Sequence, residues 1–189
     1  MLILVRHGRT GANAAGLLQG RLDNALDDVG ARQVEQVAAA IGPVDQVICS
    51  SLLRSAQTAA MFDAPTTIDD RWIELDYGEF DGWPLEDVPR EVWAAWRTDV
   101  TFAPPGGESM HTLDERVRGA ANDALELARV GIVVVVSHVT PIKAAIAWAL
   151  GGDVSMSWRC HLDQAAVSRI AAGPSGPVLR SFNEILYHL

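Results

Sequence analysis

The sequence predicts a layered α/β domain with parallel strands at its centre, and three observations predict it. Short apolar or β-branched runs at residues 2–5, 44–49 and 132–136 alternate with longer stretches of helical periodicity. Two of these runs end abruptly in polar residues, Arg6-His7-Gly8-Arg9-Thr10 and Ser137-His138. Buried parallel strands that deliver polar groups at their C-terminal ends are a common way to build an α/β site. Finally, 189 residues with 49% hydrophobic and 21% charged side chains suit one domain that buries most of its apolar surface.

The elements follow in order. Leu2-Ile3-Leu4-Val5 reads as the first strand. Asp27 or Asp28 caps a helix in which Val34, Val37, Ala38 and Ile41 recur at helical spacing, and Gly42-Pro43 stops it. Residues 44–49 read as a second strand, with Ser50 or Ser51 capping the next helix. From 63 to 107 the pattern degrades into a lid-like insertion within the domain 1–189. It holds five prolines and four of the six tryptophans, Trp72, Trp83, Trp93 and Trp96. Thr112-Leu-Asp-Glu115 fits a capping box, and Leu113, Val117, Ala120, Ala121 and Ala124 line one face of the helix behind it. Residues 132–136 read as a central strand buried on both faces, followed by a helix started by Pro141. Residues 165–171 and 178–182 read as a last strand pair, open to antiparallel pairing, joined by the turn Gly173-Pro-Ser-Gly-Pro177.

Composition narrows the function. Fifteen basic against 24 acidic residues give a net charge of −9, which argues against nucleic acid and against an anionic membrane surface as partners. Two cysteines, Cys49 and Cys160, are too few for a disulfide scaffold and point to a reducing compartment. The apolar segment before Arg6 is too short for a signal h-region, and residues 132–136 are too few to span a bilayer. A cytoplasmic location is expected. No CxxC, HExxH, Walker P-loop or GxSxG motif is present, so no metal or cofactor is expected.

The chemistry-bearing residues cluster by topology. Parallel neighbours would bring His7 and His138 to one sheet edge, with Arg6 and Arg9 flanking the first. Arg54 falls in the first turn of its helix, where the macrodipole disfavours a cation. It reads as a solvated charge or as an anion clamp; His111, His161 and His188 read as structural or surface residues. Two arginines and two histidines at one edge repel one another unless an anion joins them. A phosphoryl dianion is the natural candidate.

Arg6-His7-Gly8-Arg9-Thr10-Gly-Ala-Asn13 resembles the RHGxTxxN signature of the histidine phosphatase superfamily, phosphoglycerate mutase-like branch. Gln19-Gly20-Arg21-Leu22-Asp23, Ser50-Ser51-Leu-Leu-Arg54, Glu74-Leu-Asp-Tyr-Gly78-Glu-Phe-Asp-Gly82, Pro105-Gly-Gly-Glu-Ser109 and Ser137-His138 resemble its further motifs, in order. The resemblance implies a three-layer α/β/α sandwich with a mostly parallel central sheet. It implies His7 as a nucleophile that becomes phosphohistidine, with Arg6, Arg54 and His138 holding the phosphoryl oxygens. Asn13 would contact the phosphoryl group, and Gln19 and Gly20 would line the entrance. Glu74 would be the general acid and then the base for water, its carboxyl kept protonated by desolvation. Val139 stands where the family has glycine, its N–H expected near the phosphate and its side chain expected to alter the local backbone or the pocket.

A phosphomonoester hydrolase acting on a small phosphorylated metabolite is the reading these residues favour. A phosphoglycerate mutase is the alternative, disfavoured because residues 63–107 hold only Arg71, Arg90 and Arg97 among many acids. A non-catalytic module that binds phosphate esters is the second alternative. Trp83, Trp93 and Trp96 form either a lid helix packed on the core or an apolar wall that selects the leaving group. Ile185-Leu186-Tyr187 reads as core or as a homodimer contact.

Overall fold

A computed structural model describes residues 1–188. Its strands and helices are β1 (Leu2–Arg6), α1 (Gly11–Ala14), α2 (Asp28–Ile41), β2 (Gln46–Cys49), α3 (Leu53–Ala59), β3 (Thr66–Ile68), α4 (Arg90–Thr98), α5 (Met110–Leu127), β4 (Val133–Ser137), α6 (Val139–Ala149), β5 (Val167–Gly173) and β6 (Gly176–Glu184). Short 3-10 turns occupy Asp70–Trp72, Gly78–Phe80 and Val154–Arg159. One sheet runs β3-β2-β4-β1-β5-β6. Its first four strands are mutually parallel, and β5 and β6 close it antiparallel.

Strand periodicity divides the core into two layers. Val133 and Val135 of β4 join Leu113, Val117 and Ala121 of α5 and Ile142 and Ala145 of α6. Val134 and Val136 face the other way, toward Val34 and Val37 of α2 and Ala59 of α3. The result is helices on both faces of a mostly parallel sheet. In the β1–β4 pair Arg6 is registered with Ser137, so His7 and His138 leave the same edge side by side.

Three local expectations need correction. Helix α5 starts at Met110, and the Ser109 side chain takes the Thr112 N–H at 3.1 Å, so Thr112 lies inside the first turn instead of capping it. Neither Ser50 nor Ser51 caps α3, whose N-cap is Leu52. Asp23 supplies that cap from a distant loop, accepting the Leu53 N–H at 2.6 Å. The last helix begins at Val139, which leaves Pro141 within the first turn, where its missing N–H costs no helical hydrogen bond.

The region of degraded pattern contains β3, whose three side chains are all exposed at the sheet edge and so carry no periodic signal. It also contains α4, whose Trp96 is buried with Leu18, Phe80 and Val88 in a third apolar cluster. Near the C-terminus, Leu186 and Tyr187 pack against the core under α2, while Ile185 is exposed. Among the described residues no helix is long and apolar enough to cross a membrane.

Candidate active site

His7 leaves β1 with its N–H bonded to the Ser137 carbonyl at 3.0 Å. Its Nδ1 lies 2.7 Å from the Gly8 carbonyl oxygen. A carbonyl can only accept, so Nδ1 carries the proton and Nε2 keeps its lone pair. Burial, and then the cations Arg54 and Arg6, hold the imidazole well below the ordinary histidine value. The His138 ring stands 5.1 Å from that of His7. Its Nε2 meets Ser50 Oγ at 2.7 Å, while its buried Nδ1 has no partner. Burial, then His7, Arg54 and Arg6, push it down as well.

Both guanidiniums are held by carbonyls. Arg54, fully buried, donates from Nη1 to Leu22 O and from Nη2 to Gly20 O, each at 2.7 Å. Arg6 donates from Nη1 to Leu162 O at 2.6 Å, and burial lowers it to about 10. The Nε of each is buried without a partner. Arg9, two residues after His7, instead pairs with Asp27 at the start of α2.

The loop that aims Arg54 is itself anchored. Asp81 accepts the N–H groups of Gly20, Arg21 and Leu22 at 2.7, 2.7 and 3.0 Å. Gly20 sits so close to Leu75 O and the Tyr77 ring that an added Cβ would come within 2.8 Å of both. It therefore stands behind Arg54 and not on the cavity wall, where Gln19 does stand. Gln19 Oε1 accepts from Thr10 Oγ1, and its buried Nε2 is unpartnered.

Glu74 is buried, yet its carboxylate lies on the N-terminus of α6. Oε2 accepts the Val139 N–H at 3.0 Å, and Oε1 accepts those of Thr140 and Leu75 at 3.2 and 2.8 Å. The buried carboxyl expected from sequence is thus met by three backbone N–H groups. The Val139 N–H is committed to Glu74, which corrects its expected place on the phosphate, and valine is accommodated as the first residue of a regular helix. Arg116, paired with Glu108 at 2.7 Å, donates to the carbonyls of Arg71 and Ile73 and so fixes the segment entering Glu74.

A cavity of about 310 Å³ opens over this edge. Arg6, His7, Asn13, Gln19, Glu74 and Val139 line it, whereas Arg54 and His138 are fully buried and do not reach the lining. Asn13 closes the α1 capping box through Oδ1, leaving its amide N–H groups unclaimed. Other lining residues, Tyr77, Lys143 and Trp158 among them, are not ones the sequence points to. Tyr77 and Thr140 share a hydrogen bond between their hydroxyls, and Lys143 follows Val139 by one helical turn; Tyr77 lies within a quoted motif segment. Trp158 comes from an irregular segment with no pattern to mark it. Among the described residues no group of three or more His, Cys, Asp or Glu is placed to hold a metal ion.

Comparison with known proteins converges on these residues' family. A family model described as the histidine phosphatase superfamily (branch 1) matches residues 2–185. The bifunctional protein Rv2228c of Mycobacterium tuberculosis is 33% identical over 177 residues, which are 88% of this chain and 49% of that protein. The chain thus spans about half the length of that curated relative. Phosphoserine phosphatase 1 of Hydrogenobacter thermophilus is 32% identical over 181 residues, covering 89% of this chain and 85% of its own. The crystal structure of a phosphoserine phosphatase mutant from Entamoeba histolytica in complex with phosphoserine superposes with a TM-score of 0.89 at 26% identity, covering 97% of this chain and 96% of that one.

Proposed function

The chain belongs to the histidine phosphatase superfamily, branch 1, and from that premise we propose that it hydrolyses small phosphomonoesters through a phosphohistidine. The observation that carries the reading is the His7 tautomer. With Nδ1–H committed to Gly8 O, a neutral Nε2 is available beside two arginines that each hold an unused Nε–H.

Nε2 of His7 attacks phosphorus in line, and the bond from phosphorus to the ester oxygen breaks. Arg6, Arg54 and His138 receive the charge spreading over the non-bridging oxygens, with His138 protonated while the dianion is bound. Glu74, in its acid form, gives its proton to the departing alkoxide, and the alcohol leaves. The resulting carboxylate takes a proton from water as that water attacks phosphorus. Inorganic phosphate departs, and His7 regains its lone pair. Asn13 and Gln19 place further N–H donors around the oxygens.

The test is phosphate release from a panel of monoesters, with acid-labile, alkali-stable phosphoenzyme trapped by rapid quench. His7→Ala should abolish both, a loss of at least about 10⁴-fold in kcat. Undiminished turnover in that variant, or interconversion of phosphoglycerates without phosphate release, overturns the reading.

A further inference from the structure

His138 has to donate to phosphoryl oxygens, yet only one of its nitrogens is free to do so. Nε2 lies 2.7 Å from the buried Ser50 Oγ, and Nδ1 meets no partner among the described residues. The hydroxyl is aimed by its own backbone. Ser50 follows the last residue of β2, and its N–H donates to Ser55 Oγ at 3.2 Å. The Ser55 hydroxyl in turn donates at 3.0 Å to the carbonyl of Val136, two residues before His138. Ring and hydroxyl are thus fixed to one scaffold, the β2–β4 pair and the first turn of α3.

The direction of the bond between Ser50 and His138 follows from what each direction leaves unpaired. If Nε2–H donates to Oγ, the Ser50 O–H has no acceptor and the Nδ1 lone pair has no donor among the described residues, so two buried groups stay unpaired. If the Ser50 O–H donates to Nε2, the proton of the neutral ring sits on Nδ1, and that N–H alone is left over. The first arrangement would offer a phosphoryl dianion a lone pair. The second offers it a donor.

We infer that Ser50 is a positioning residue for His138: its O–H holds Nε2 as an acceptor and so keeps Nδ1–H as the donor for the phosphoryl group. The identity of the anion rests on the phosphatase reading above, whereas the tautomer is a property of the free protein. The two histidines are thereby set in opposite senses at one sheet edge. Gly8 O takes the Nδ1 proton of His7 and bares Nε2 as a nucleophile; the Ser50 O–H occupies Nε2 of His138 and leaves Nδ1–H as a donor. A hydroxyl also serves the charged ring. The proton that His138 gains with the dianion goes to Nε2, and Oγ turns from donor to acceptor, which neither a carbonyl nor an ammonium group could do. Without that acceptor the added proton would meet only opposition, from His7 and Arg6 at the end of β1, Arg54 of α3 and Arg116 of α5.

Long-range proton–nitrogen correlation NMR on protein with isotope-labelled histidine tests this, with the His138 signals assigned by their loss in His138→Gln. Above the ordinary histidine pKa and without phosphate, Nδ1 of wild-type His138 should report as protonated and Nε2 as unprotonated. Saturating inorganic phosphate should bring both nitrogens into the protonated range. In Ser50→Ala the preference for Nδ1–H should be lost, and kcat/KM for p-nitrophenyl phosphate should fall by about 10- to 100-fold, the range expected of one charge-assisted hydrogen bond. A wild-type His138 protonated on Nε2 in the free protein overturns the inference, and that measurement needs no variant of Ser50. A Ser50→Ala protein that keeps the wild-type tautomer, or the wild-type kcat/KM, overturns it as well. If the expected tautomer is present and lost in Ser50→Ala while the wild-type protein hydrolyses no ester, the phosphatase reading falls and the setting of His138 by Ser50 stands.

Discussion

His7 and Glu74 each owe their chemical form to backbone groups. The Gly8 carbonyl selects the His7 tautomer, and three N–H groups hold the Glu74 carboxylate at the start of α6. In the proposed reaction Glu74 gives a proton to the leaving oxygen. Its contribution therefore depends on how much the leaving group needs a proton. We expect Glu74→Gln to lower kcat by about 10²- to 10⁴-fold for an alkyl ester such as glycerol 3-phosphate. For p-nitrophenyl phosphate, whose phenolate leaves unaided, the phosphorylation step should fall by less than about tenfold. Single-turnover release of alcohol and of nitrophenolate separates that step from hydrolysis of the phosphoenzyme. Equal losses for the two esters would show that Glu74 is not the acid.

At the scale of elements, the site depends on loops tied down by contacts far apart in sequence. Asp81 draws three successive N–H groups of the 20–22 segment together, and the carbonyls of that segment grip Arg54. Asp81→Ala should free the segment, lower kcat/KM by about 10- to 100-fold through misplacement of Arg54, and lower stability by about 0.5–1.5 kcal/mol for the loss of part-buried and exposed hydrogen bonds. Chemical denaturation and steady-state kinetics check both; a stability loss with unchanged kcat/KM would separate the anchor from the chemistry. Such contacts explain what could be read in advance. Arg6, His7 and His138 were legible because a strand ends where each begins, and Glu74 because a contiguous motif surrounds it. Ser50 was misread as a helix cap because nothing local shows that its hydroxyl turns to His138 across 88 positions. Asp81, Arg116 and Lys143 were passed over for the same reason: charged residues in loops or on helix faces look solvated until the fold brings their partners. Likewise β3 leaves no mark in the pattern because it has no buried face, whereas the lid helix offered as one reading of Trp93 and Trp96 is α4, with Trp96 in the core.

For the whole molecule, an acidic chain of net charge −9 encloses a local cationic focus, and that focus should be visible in its stability. His7 and His138 are buried with values pushed below that of a free histidine. As pH falls through about 6.5 the unfolded chain binds protons at these two positions and the folded chain does not, so stability must fall with pH. Two protons set the upper limit, roughly 2.7 kcal/mol per pH unit. The carboxylates with lowered values, such as Asp27, Asp69 and Asp163, lose their contribution only at lower pH, below about 4. The window from pH 7 to 5.5 therefore belongs to the histidines. Inorganic phosphate, the proposed product, changes the account in a specific way. It stabilises the folded state by mass action, about 2.7 kcal/mol at a hundredfold excess over its Kd. It also lets His138 hold a proton in the folded state, which removes one of the two protons from the difference. Thermal unfolding followed across this window should show Tm falling with pH in phosphate-free buffer, and falling less steeply with saturating phosphate. His138→Gln should retain some stabilisation by phosphate but lose its effect on the slope. Parallel Tm curves with and without phosphate in the wild-type protein would mean that His138 takes up no proton with the anion, and that Arg6 and Arg54 carry the phosphoryl charge alone.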